Sequence, residues 1–193
     1  QAYTYSPLGL VEATETAATW AELNEDAGRL AAQLAADGVE SGDFVATLFP
    51  PSAPFAEVYF AAAKLGATLV PLDLRGKPGD HQHVLSSTAP TAFVGAGQYR
   101  DTDFQAILEE VPAFEAIDTT HWLGDDYRAD LPAAGQYEWT AANPDGTPQT
   151  ADSVGCTDPD AGLLVVFTSG TTGDPKGAVL SHRNVVFQGT AIS

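Results

Sequence analysis

Residues 163–184 read LLVVFTSGTTGDPKGAVLSHRN, and the rest of the chain is arranged around them. Leu163, Leu164, Val165, Val166 and Phe167 predict a strand buried on both faces. They run straight into Thr168-Ser169-Gly170-Thr171-Thr172-Gly173-Asp174-Pro175-Lys176-Gly177. Gly170, Gly173 and Gly177 admit positive φ and close backbone approach, so successive N–H groups can turn inward as a concave donor cluster for an anion. The hydroxyls of Thr168, Ser169, Thr171 and Thr172 add donors. Lys176 adds a mobile point charge, the usual lysine contribution at a phosphate, and Pro175 limits the loop just before it. A plain hairpin tip needs only about two to five residues and no lysine.

The loop does not follow the Walker A pattern, GxxxxGK[ST], which would need Gly at position 175 and Ser or Thr at 177. A P-loop kinase or ATPase is disfavoured on that ground. Ala178, Val179 and Leu180 read as a second short strand, so the order is strand, loop, strand, with a helix only after Ser181 as its cap. Phosphate binding then rests on loop amides and hydroxyls more than on a helix dipole.

The run TSGTTGDPKG, with the apolar strand before it and VLSHRNV after it, resembles the phosphate loop of the adenylate-forming superfamily, which includes acyl-CoA synthetases, luciferases and peptide-synthetase adenylation domains. The segment 38–73, GVESGDFVATLFPPSAPFAEVYFAAAKLGATLVPLD, also resembles that family, as scaffold with no catalytic role. The resemblance is close over 158–186 and looser over 19–94. It implies that residues 1–193 are the N-terminal part of the large domain of an adenylation enzyme, truncated, with the phosphate loop at 168–177.

The activity implied is that of an acid–CoA ligase, of the long-chain fatty acid type. A small-molecule carboxylate attacks the α-phosphate of Mg·ATP to give acyl-adenylate and pyrophosphate, and the thiol of coenzyme A then displaces AMP. ATP, Mg²⁺ and coenzyme A are therefore the expected cofactors. Thr168, Ser169, Gly170, Thr171, Thr172, Gly173, Lys176 and Gly177 become the ATP-binding residues, with Lys176 catalytic through its charge. The family's adenine-, ribose- and Mg²⁺-binding motifs and its closing lysine would lie beyond Ser193, so this chain alone is expected to be catalytically silent. An adenylation domain of the peptide-synthetase type and a non-catalytic nucleotide-binding or interaction domain stay open as alternatives.

Composition narrows the partners. The chain has 193 residues, 44% of them hydrophobic, enough for one domain with a substantial core. Its single cysteine, Cys156, permits neither an intrachain disulfide nor a cysteine-based zinc site. No basic n-region precedes an apolar run at the N-terminus and no stretch of eighteen apolar residues occurs, so a soluble, cytoplasmic protein without membrane insertion is expected. The chain lacks an initiating Met and stops at Ser193 within a predicted helix, which reads as an excised piece of something longer.

Twenty-six acidic residues stand against 8 basic ones, a formal charge of −18. Nucleic acid is disfavoured as a partner, because phosphate backbones are bound by clustered Lys and Arg. The acidity is uneven. Residues 1–160 hold 25 acidic and 6 basic residues, net −19, whereas 161–193 hold Asp174 against Lys176 and Arg183, net +1. Only Lys64, Lys77 and Lys176 are lysines, and one of the three sits in the glycine-rich loop. An anion site within a repelling surface needs that placement. So acidic a chain also predicts a halophilic source, since molar salt shortens the Debye length to roughly 3 Å and relieves self-repulsion.

The remaining chain supports a doubly wound α/β fold, a largely parallel sheet covered by helices. Thr19-Trp20-Ala21-Glu22 has the form of a capping box, followed by an apolar stripe of Trp20, Leu23, Ala27, Leu30 and Leu34 to about 37, with Gly38 as the stop. A strand over 44–49, a helix over 54–65 ended by Gly66, a strand over 67–72, a helix near 80–87 and a strand near 91–94 follow. Thr102 is read as the cap of a helix to about 110, and 114–117 as a strand. Residues 119–160 read as an extended connection pinned by aromatics. His81 and His83, two apart on a helix, point to different sides and make a poor metal pair. No metal site is expected from this chain. His182, just after the loop, is read either as a helper in nucleotide binding or as a surface residue at a helix start.

Overall fold

The computed structural model describes residues 3–5, 16–124, 158–168 and 175–192. Helix α1 (Trp20–Ala36) starts at the predicted box: the Thr19 hydroxyl accepts from the Glu22 amide at 3.2 Å while Glu22 accepts from the Thr19 amide at 2.7 Å. Two backbone N–H donors at the helix start, those of Thr19 and Glu22, are thereby satisfied reciprocally. Leu23, Ala27, Leu30 and Leu34 are buried, but Trp20 is 61% exposed and meets Phe60 edge-on at 6.5 Å, so it leaves the predicted core stripe.

Strands β3 (Phe44–Leu48), β4 (Thr68–Pro71), β5 (Ala92–Ala96) and β8 (Thr119–Leu123) form the parallel body of a six-stranded sheet. Strands β9 (Gly162–Thr168) and β10 (Lys176–Ser181) extend it, in the order β10-β9-β4-β3-β5-β8, with β9 parallel to β4 and β10 antiparallel to β9. Two short antiparallel pairs lie outside it, β1 (Tyr3–Tyr5) with β2 (Thr16–Ala18) and β6 (Gln98–Tyr99) with β7 (Thr102–Asp103). The predicted, largely parallel α/β architecture is the one observed.

Side chains that alternate along the strands feed two cores, one on each face. Val45, Leu69, Ala92 and Val94 meet α1 and helix α2 (Ala53–Leu65) on one face. Ala46, Leu48, Val70 and Phe93 meet helices α3 (Pro78–Thr88), α4 (Phe104–Glu109) and α5 (Pro112–Glu115) on the other. Gly66 closes α2 in the left-handed conformation, φ 74°, which a side chain would resist. Thr47, polar and buried in β3, donates its hydroxyl to the Val94 carbonyl at 2.8 Å and so costs little.

Further expectations change. Residues 114–117 are no strand: Pro112 opens α5 with its φ already helical, and Phe114 turns inward against Phe93 (5.0 Å between centroids) and Trp122 (5.7 Å). The strand follows instead, as β8, which takes up the first part of the predicted connection. The cap of α4 is Asp103, whose carboxylate accepts from the Ala106 amide at 2.9 Å, because Thr102 is occupied in pairing with Tyr99. Strand β9 is buried on one face only. Leu163 and Val165 are buried, while Val166 is 44% exposed where no described helix covers it.

Candidate functional site

Strand β9 runs parallel to β4 and ends at Thr168, so the loop that follows leaves from the carboxyl ends of the parallel strands. In open α/β sheets that edge is where ligands bind. Strand β10 returns from Lys176, and the register pairs Lys176 with Thr168 and Gly177 with Phe167. The two predicted strands are therefore present as an antiparallel pair, and Thr168 and Lys176, which the sequence singled out, stand opposite each other where it begins.

Directly opposed residues of an antiparallel pair share a face. Thr168 and Lys176 thus project together on the side of Leu164 and Val166, and the Thr168 hydroxyl donates to the Lys176 carbonyl at 3.4 Å. Lys176 is exposed, and among the described residues it stands in no ion pair. A cation that is not consumed by a carboxylate remains available for an anionic ligand. Ser169, Gly170, Thr171, Thr172, Gly173 and Asp174 lie outside the described residues, so the structure brings together Thr168, Lys176 and Gly177 and leaves the rest of the predicted set as read from sequence.

Gly177 does not use the positive φ that a glycine admits. It is not among the described residues of positive φ, and it lies in a regular strand. A Cβ there would come within 3.0 Å of Val165 Cγ1 and 3.1 Å of Phe167 Cζ. Its missing side chain makes room for the Phe167 ring across the hairpin, a cross-strand cover for an otherwise bare glycine.

The other end of β10 is tied to its surroundings. Helix α6 (His182–Ile192) follows Ser181 directly, and the cap is reciprocal: the Ser181 hydroxyl accepts from the Asn184 amide at 3.3 Å, and Asn184 Oδ1 accepts from the Ser181 amide at 3.0 Å. Arg183 grips Asp160 through two bonds of 2.7 and 2.9 Å, which hold the Asp160 carboxyl below and the Arg183 guanidinium above their ordinary values. His182 begins the helix, its Nε2 sealed from solvent without a hydrogen-bond partner among the described residues.

His81 and His83 diverge as expected. His81 is buried against Gly76, and the loss of hydration there pushes its imidazole below the ordinary value, although Asp80 and Asp73 pull the other way. His83 turns to the hairpin, where its Nε2 lies 2.7 Å from the Pro175 carbonyl and its ring meets Phe167 edge-on at 6.2 Å. Sequence reasoning missed this contact. Ninety-two positions separate the partners, and no local pattern announces a pairing across that distance.

Among the described residues no group of three or more His, Cys, Asp or Glu could hold a metal ion, and no helix is long and apolar enough to cross a membrane.

Comparison with known proteins places these features in context. The AMP-binding enzyme family matches residues 3–193. ScoC, a fatty acid–[acyl-carrier-protein] ligase of Streptomyces coeruleorubidus, is 31% identical over 166 residues, which cover 86% of this chain and 28% of that protein. FadD13, a long-chain-fatty-acid–CoA ligase of Mycobacterium tuberculosis, is 31% identical over 173 residues, covering 89% of this chain and 31% of its own length. Among solved structures, the inhibitor-bound N-terminal domain of FACL13 from Mycobacterium tuberculosis superposes with a TM-score of 0.64 at 27% identity, over 88% of this chain and 38% of that one. The chain thus spans less than a third of either sequence relative.

Proposed function

The chain belongs to the AMP-binding enzyme family, and from that premise we propose that it supplies the ATP phosphate-binding loop of an ATP-dependent acid–CoA ligase. Residues 1–193 are then the N-terminal part of the adenylation domain. The observation that carries this reading is Lys176 beside Thr168 at the carboxyl edge of the sheet, an exposed cation unpaired among the described residues of a chain of net charge −18. Relatives that act on fatty acids support a carboxylate substrate of that class.

In the first half-reaction a carboxylate oxygen attacks the α-phosphate, and negative charge grows on the departing pyrophosphate. Lys176, the hydroxyls of Thr168, Ser169, Thr171 and Thr172, and the amides of Gly170 and Gly173 stabilise that charge as donors and a cation aimed at the departing group. Gly177 contributes by seating the hairpin on Phe167. Mg²⁺ would arrive with ATP, and among the described residues no group of three or more His, Cys, Asp or Glu could hold it. A thiol accepts the acyl group in the second half-reaction. Coenzyme A is the first choice, and the carrier-protein ligase among the relatives favours a carrier-protein thiol as the second reading.

The decisive assay supplies the whole protein with ATP, a carboxylic acid and coenzyme A and identifies the nucleotide product. AMP with pyrophosphate is expected; ADP with phosphate would sink the reading. The same surface charge supports a cytoplasmic protein of a halophile, whose melting temperature climbs steeply as KCl is raised to molar levels. A flat or falling curve refutes halophily without touching the activity.

A further inference from the structure

We propose that His83 is a positioning residue for the phosphate loop, its Nε2–H holding the Pro175 carbonyl and so fixing the peptide unit that carries Lys176; this rests on the phosphate-binding reading of residues 168–177. A carbonyl oxygen only accepts, so the 2.7 Å contact requires a proton on Nε2, whether the ring is neutral or charged. Pro175 has no N–H of its own, and the strand ladder begins only at Lys176 opposite Thr168. The Pro175 carbonyl is therefore the group through which the loop's exit can be anchored.

The anchor stands on a rigid base. Helix α3 buries Leu85 in the core and His81 against Gly76, and its Gln82 accepts from the Ala113 amide of α5 at 2.9 Å. By contrast β10 is an edge strand, with Lys176, Gly177, Ala178 and Val179 all exposed. Its tip has β9 on one side and His83 below. The His83 ring meets Phe167, and Phe167 fills the space over Gly177, so three residues stack on one face of the hairpin. Successive strand residues alternate, which sends Lys176 to the other face. In a trans peptide the N–H points opposite to the C=O, so a carbonyl held toward α3 turns the Lys176 amide away from it. Rotation of that one peptide would redirect both the amide and the start of the lysine side chain.

The test uses the whole protein and ATP–pyrophosphate exchange. His83→Phe keeps an aromatic edge against Phe167 but removes the donor, and it should lower kcat/KM for ATP about five- to tenfold, the effect of one hydrogen bond, with KM for the carboxylate unchanged. His83→Gln restores an N–H near the position of Nε2 and should return the value to within about twofold of wild type. Equal damage in both variants, or none in His83→Phe, overturns the role of His83 while leaving the loop reading intact. Should His83→Phe fail to fold, ¹⁵N-histidine spectra of the wild type decide: a protonated Nε2 on His83 supports the anchor, and an unprotonated one overturns it. A wild type without any exchange overturns the phosphate reading and takes this proposal with it.

Discussion

The body of the sheet and its β9–β10 hairpin are built of similar apolar residues and behave differently. Val45, Val70, Phe93 and Val94 are wholly enclosed between two helical layers, whereas Val166 is 44% and Val179 55% exposed on the hairpin. The body holds the carboxyl edge in place by burying side chains on both faces. The hairpin joins its strands through a glycine-rich stretch of sequence, carries in Lys176 a cation without an ion pair among the described residues, and borrows rigidity from α3 through His83. Enclosure is thus greatest in the central strands and least at the β10 side of the same sheet.

The sharpest way to break this contrast is Phe93→Ala. Its ring is fully buried and packs on Phe114 and Trp122, so truncation should cost about 3 to 5 kcal/mol in urea unfolding. The matching hairpin change, Val179→Thr, should stay within about 0.5 kcal/mol, as surface substitutions do. Comparable losses at the two positions would mean that the hairpin carries stability after all.

Lys176→Ala probes the other side. Pyrophosphate exchange in the whole protein should slow by about 10- to 100-fold through the lost charge-assisted contact, with the melting temperature unmoved. A large fall in melting temperature would recast Lys176 as structural. A smaller effect belongs to the body again: Thr19→Ala removes one arm of the α1 capping box and should cost about 1 kcal/mol by chemical denaturation.

The mildest expectation concerns acid. Folding holds the His81 imidazole below its ordinary value near 6.5, chiefly by burial, so the unfolded chain binds the extra proton first as pH drops. The stability contribution of neutral His81 is complete above that value and is lost progressively as pH falls toward the lowered folded value. His81→Leu should flatten this limb of the urea midpoint against pH. An unchanged profile would place the titration elsewhere.

Much of the body was legible because its signals are short-range. A Thr with Glu three residues on, Pro before an apolar helix and Gly after it report local backbone chemistry, and α1, α2 and Gly66 fall where those signals put them. The aromatic Phe114 misled, because a short apolar run has no period of its own and Pro112 decided for a helix.

The two strands that flank residues 169–174 and the Ser181 cap were determined by sequence alone, since each depends on which residues are adjacent and on what their backbones permit. Tertiary structure decided what depends on neighbours distant along the chain. Leaving β9 half covered, placing a phenylalanine over Gly177 and bringing His83 to Pro175 all follow from strand order and from the layer of helices beneath it. Periodicity records that a face is apolar; only the packed sheet determines what, if anything, covers it.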